Sequence, residues 1–280
     1  MIKDDTKIDK LNDLNSEPKQ NEPISQLTPI EPIVNTPLTE KVYLPSQGKL
    51  YNPDSPLANG YVEMKYMTTK EEDILTTVSY MKDGTVLDKL FQSMIVTKFN
   101  YDDLLLGDRN AIMIAARIYG YGPEYNTKIN TTSGIQEVSI DLQTIINKEV
   151  KLEELNSNGN FEFVLPKSKQ KIEFKLLTVG MQKQIDKSLA KVKSIGETEK
   201  GLTTRLRYMI QSVDGVSDPA IVVPFINNML AVDSRAFREY IKNIQPDVDL
   251  NISIVDEATG FPFRTELPLG LDLFWPDFKG

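Results

Sequence analysis

The chain contains no histidine and no cysteine. It therefore has no imidazole base, no thiolate nucleophile, no Cys/His zinc site and no disulfide. Missing cysteine fits a reducing compartment, although many secreted bacterial and viral chains lack it too. Missing histidine also fits codon bias in an AT-rich genome, given the many Lys, Asn and Ile residues. No run reaches the roughly 18 apolar residues of a membrane span, and no apolar signal core follows Met1-Ile2-Lys3-Asp4-Asp5. An excess of positive charge is missing as well. Lys and Arg number 32 against 40 Asp and Glu, a formal charge of -8, so phosphate-tracking nucleic-acid binding is not expected. Gly120-Tyr121-Gly122-Pro123 lacks the Lys-Ser/Thr of a phosphate loop and ends a helix instead of opening one. Gly-x-Ser-x-Gly is absent. These gaps predict a chain with no cofactor, no metal, no nucleic-acid partner and no membrane segment.

What is present is a 280-residue chain with an ordinary 40% apolar fraction. Residues 1–41 are polar, without periodicity, and punctuated by Pro18, Pro23, Pro29, Pro32 and Pro37. That composition predicts a disordered tail, or a segment that folds on a partner through Ile24, Ile30, Ile33 and Val34. From Val42 the pattern is α+β. Val42–Tyr51 reads as strand, turn, strand, and Gly60–Met67 as a further strand. Thr68 and Glu71 have capping-box spacing for a helix over 69–80. Helices follow over 85–96 and from Gly107 to Tyr119, then a hairpin with strands at 125–130 and 135–141. The second half repeats the order. Phe161–Pro166 and Lys171–Leu176 are strands, and helices begin near Met181, Leu202, Asp218-Pro219 and Asp233. A hairpin closes the series at Leu250–Ile254 and Phe263–Leu267. The expectation is two related α+β units, at 42–145 and 160–280. Each comprises a strand pair, two or three helices and a terminal β-hairpin.

Acidic clusters at Glu71-Glu72-Asp73 and at Asp102, Asp103 and Asp108 invite a carboxylate hydrolase of cell-wall glycans or a cation site. Acids in a first helical turn have a simpler role, because the helix dipole favours them there. Asp108-Arg109 and Asp233-Ser234-Arg235 recur in matching places. They read as cap and ion pair, with a partner contact as the functional alternative. Near the end, Leu271, Leu273, Phe274, Trp275 and Phe278 place a heavy apolar load where fraying is the norm. That segment either folds back on the core or buries itself in a partner. The partner-binding candidates are Asp108, Arg109, Asp233, Arg235, Phe274, Trp275 and Phe278. No catalytic residue is expected.

Two stretches carry a resemblance. Ala115-Ala116-Arg117-Ile118-Tyr119-Gly120-Tyr121-Gly122-Pro123-Glu124-Tyr125, with a hairpin ending Val138–Leu142, resembles the T4-type phage baseplate hub assembly proteins. So does Leu267-Pro268-Leu269-Gly270 followed by Phe274-Trp275-Pro276-Asp277. The similarity spans about residues 42–280. It implies a non-enzymatic tail protein, an assembly chaperone or hub subunit that binds baseplate proteins. Such a protein would be found in the host cytoplasm during assembly or in the virion baseplate. Relatives often carry Cys-x-x-Cys pairs at the hairpin turns, which would suit a zinc ribbon. Here those turns read Asn130-Thr131-Thr132-Ser133-Gly134 and Val255-Asp256-Glu257-Ala258-Thr259-Gly260, so the hairpins would be degenerate and metal-free. Hydrogen bonds and packing must then hold them.

Overall fold

The structure is a computed structural model that describes residues 37–150, 155–194, 198 and 200–275. Of the expected tail, residues 1–36 lie outside the described residues. Strand β1 (Thr39–Tyr43) already begins within its last five positions. It pairs antiparallel with β2 (Tyr61–Lys65), Val42 facing Val62. The expected local hairpin at Val42–Tyr51 does not form. Pro45 lacks an amide and Gly48 adopts φ 77°, so the chain turns at Leu44–Lys49 and β1 finds its partner further on.

Thr68 then starts α1 (Thr69–Thr76), and its amide donates to the Glu71 carboxylate at 3.1 Å, the expected capping box. The single helix expected over 69–80 is two. Thr77, with φ -73° and ψ 108°, breaks it before α2 (Val78–Lys82). Next come α3 (Val86–Met94), a short 3-10 turn at Tyr101–Asp103, and α4 (Leu106–Tyr121). The expected hairpin follows as β3 (Glu124–Thr131) and β4 (Gly134–Asp141), with Thr131 opposite Gly134 at its turn.

After residue 160 a three-stranded antiparallel sheet forms. Its strands are β5 (Phe161–Val164), β6 (Lys171–Phe174) and β7 (Ile210–Val213), with β6 central. Helices α5 (Val179–Ser194) and α6 (Gly201–Met209) lie between β6 and β7. The sequence pattern runs α6 on to Gln211, but Ile210 turns extended and enters the sheet. Helices α7 (Pro219–Asn228, capped by the Asp218 carboxylate) and α8 (Ala231–Ile244) follow. The second hairpin is β8 (Asn251–Val255) and β9 (Pro262–Glu266). The fold is mixed α+β, with eight α-helices and small antiparallel sheets among the described residues.

Two apolar cores stabilise this arrangement. One gathers β1, β2, α1, α3, α4 and the first hairpin, and it also takes Val248, Leu250, Leu267, Leu273 and Phe274. The other lies between the three-stranded sheet and α5–α8, with Phe163 and Tyr240 stacked at 4.4 Å and Phe174 edge-on to Phe237. Residues from 37 onward form one compact unit. The cores do not part at residues 145 and 160, because the second hairpin and the segment after it pack on the first core.

Candidate functional site

Asp108 and Asp233 occupy matching positions, each the third residue of its helix. Neither caps its own helix as expected, since the N-cap residues are Leu105 and Leu230. Each carboxylate instead holds the turn that follows a Leu-Pro pair. Asp108 accepts from the Ser46 amide at 2.9 Å, the Ser46 hydroxyl at 2.6 Å and the Tyr51 hydroxyl. Asp233 accepts from the amides of Lys167 at 2.7 Å and Ser168 at 3.0 Å. Both side chains are fully buried, which removes them as direct partner contacts. A charge taken out of water needs this many donors to be tolerated. Burial pushes the Asp108 carboxyl up, against the pull of Ser46 and Tyr51. Burial acts the same way on Asp233, but the two amides outweigh it and hold that carboxyl below its ordinary value.

The arginines of these motifs differ. Arg109 donates through Nε and Nη2 to one Asp88 oxygen, at 3.2 and 3.0 Å, and lies over Phe91. Arg235 is exposed and pairs with Glu239 one turn away, a contact of little energetic weight.

The acids singled out in the sequence take separate partners. Asp102 binds Lys183 at 2.7 Å, Asp103 accepts from Asn100, and Asp108 is committed to Ser46 and Tyr51. Glu71 is buried and takes Lys65 at 2.7 Å and Ser93 at 2.6 Å. These bonds outweigh its burial and hold its carboxyl at about 2. Two cavities stand out. One, of about 520 Å³, is lined by Pro45, Gln47 and residues 147–150. The other, of about 340 Å³, is lined by Ser168, Gln170, Pro224, Phe225, Asn228, Met229, Leu230 and Asp233. Neither is lined by Asp102, Asp103 or Asp108.

The two hairpin turns meet. The Asp256 carboxylate accepts from the hydroxyls of Thr132 at 3.0 Å and Ser133 at 2.9 Å, and from the Ala258 amide at 3.0 Å. Gln136 closes the join. Its side chain donates to the Val255 carbonyl at 2.9 Å and accepts from the Glu257 amide at 3.1 Å. Asp256 is only 2% exposed, whereas Ile135, Val255 and Phe261 around it are 73%, 58% and 73% exposed. Burial favours a raised Asp256 pKa, yet the Ser133, Thr132 and Ala258 bonds hold it below the usual carboxylate range. Among the described residues no group of three or more His, Cys, Asp or Glu is placed to hold a metal ion.

As far as Trp275, the aromatic segment folds back on its own chain. Phe274 is 3% exposed and Trp275 packs on the first core. Phe278 lies outside the described residues. Arg117 fastens this return with three carbonyls. Nε reaches Leu273 at 2.9 Å, Nη1 Gly122 at 2.7 Å and Nη2 Glu124 at 2.9 Å. Sequence reasoning missed Ser46, Tyr51, Arg117 and Asp256 as organising residues. Only Asp256 carried a signal, its place in a polar turn between alternating strands. No family model, curated protein or solved structure matches the chain. No helix among the described residues is long and apolar enough to cross a membrane.

Proposed function

We propose that this chain is a non-enzymatic protein that binds other proteins while a phage baseplate hub is assembled, as assembly chaperone or hub subunit. The observation that carries this reading is the joined pair of hairpin turns. They present Ile135, Val255 and Phe261 to solvent around a hydrogen-bonded clasp. Large apolar side chains on a rigid polar frame suit an interface centre, where aromatic anchors carry most of the binding energy. The clasp stands where the resembling family places its paired cysteines. Hydroxyls and a carboxylate take over the joining role there.

The test is affinity capture from phage-infected cells with the full chain as bait, read by mass spectrometry. A baseplate or other tail protein is retained by the native chain. Retention drops at least tenfold for Phe261→Ser combined with Ile135→Ser, at unchanged thermal stability. Native bait that retains no tail protein overturns the proposal. Mass spectrometry of purified virions then separates subunit from departing chaperone.

A further inference from the structure

One internal contact of the chain has two sides that both recur elsewhere on its surface, unpaired among the described residues. Between the 3-10 turn and α4, Leu104 (φ -65°, ψ 129°) and Leu105 (φ -65°, ψ 145°) are extended. They pair antiparallel with the residues around Thr178, just before α5. The Leu106 amide donates to the Leu177 carbonyl at 3.1 Å, and the Val179 amide to the Leu104 carbonyl at 2.8 Å. This contact leaves Leu104 and Leu105 at 0% and 9% exposure. Lys183, five residues past Thr178, adds ion pairs to Asp88 and Asp102.

Between α7 and α8 the same backbone appears again. Met229 has φ -57° and ψ 133°, and Leu230 has φ -61° and ψ 139°. The buried aspartate follows three residues after the leucine, as Asp108 follows Leu105. Here no described residue pairs with the edge. Among the described residues the Met229 carbonyl and the Ala231 amide make no hydrogen bond. Leu230 is 48% exposed, and the 340 Å³ cavity opens beside it. Ile221 and Val232 are exposed as well.

The other side recurs too. Phe174 pairs with Ile210 and Met64 with Ile95, each isoleucine standing at the C-terminal cap of a helix. Counting four residues on from Phe174 and Met64 gives Thr178 and Thr68. Leu177-Thr178-Val179 therefore corresponds to Met67-Thr68-Thr69, which leads from β2 into α1. Thr68 and Thr69 are exposed. The Met67 carbonyl and the Thr69 amide form no hydrogen bond among the described residues.

We infer that Met229–Ala231 of one copy docks Met67–Thr69 of the next, so that the chain associates head to tail with itself. The Ala231 amide donates to the Met67 carbonyl, and the Thr69 amide to the Met229 carbonyl. Extended segments added to a free edge are held by main-chain bonds of this kind. The charges match in reversed sense. Asp73 stands at the place of Lys183, and Asn227, two residues before Met229 as Asp102 is two before Leu104, holds Arg207 at 2.7 Å. Because the two surfaces differ, the contact is heterologous and builds a ring or a filament.

The experiment measures the molar mass of the full chain by light scattering from micromolar to millimolar concentration. Two variants each delete one donor. Ala231→Pro and Thr69→Pro both fall on the first helical residue, where proline is favoured. The preceding residues, Leu230 at ψ 139° and Thr68 at ψ 174°, are extended as proline requires. Both variants are therefore expected to fold, which circular dichroism checks. The wild-type mass rises beyond two chains, and each variant alone stays at one. An equimolar mixture forms a two-chain species and nothing larger, since each variant keeps the edge the other lacks. A wild type that stays at one chain overturns the inference and makes a different protein the occupant. So does association that survives both substitutions.

Discussion

Gly107 stands next to the buried Asp108, and the reason is steric. A Cβ at this position would overlap the Pro246 carbonyl, a backbone atom that cannot swing aside. Gly107→Ala is expected to lower stability by about 1–3 kcal/mol or more, as overpacking against fixed atoms does. Denaturant unfolding measures the loss. Asp108 and Asp233 were legible as a recurring pair, because each is followed closely by an Arg at the start of a helix in a matching place in the order of elements. Their partners were not legible. The Ser46 donors lie 62 residues away, and two of the three amides that bind the pair carry no trace of the contact in their own side chains. Tyr51 was hidden for a similar reason. It sits in a turn read as a strand, and only the folded loop brings its hydroxyl to Asp108 and to the Leu105 amide.

Most helices and both hairpins were readable because each announces itself locally. Alternation marks β3, β4, β8 and β9, Asp218-Pro219 opens α7, and Thr68 with Glu71 opens α1. Two errors fell where tertiary pairing overrode the local pattern. Ile210 leaves α6 because Phe174 offers it a ladder position, and β1 ignores residues 49–51 because β2 is its partner. The hairpin join is an element-scale device that depends on one carboxylate. Asp256→Ala is expected to speed hydrogen exchange at the Ala258 and Glu257 amides while leaving α4 and α8 protected. The folded pKa of Asp256 lies below its unfolded value near 3.8. Its stabilising contribution is therefore complete above that value and is lost as pH falls through the lower folded one. In the native chain the same amides lose protection over that acidic interval, which exchange followed by mass spectrometry detects. In Asp256→Ala this step disappears.

On the scale of the whole molecule, the cores interlock across the sequence. The first core borrows Leu267, Leu273 and Phe274 from far along the chain, while Leu105 and Leu106 reach into the second. The order of elements was legible, and two units were expected from it. How the cores draw on distant segments was not legible, because a hydrophobic stripe says that a face is buried and not against what. The aromatic ending shows the same ambiguity, and Arg117 resolves it for Phe274. Phe274→Ala is expected to cost about 3–5 kcal/mol, the range for emptying a buried aromatic site. A shift in the denaturant midpoint at constant slope is the readout. A mere loss of surface would change neither.

The Arg117 clamp also sets a timetable. Its guanidinium sits in α4, yet one of its three carbonyls belongs to Leu273, 156 residues later. On the ribosome, the early half of the chain emerges with its core still open at one side. Closure waits until residue 273 has cleared the exit tunnel. Folding of the early half is therefore coupled to residues made much later, and the first core is not completed by the early half alone.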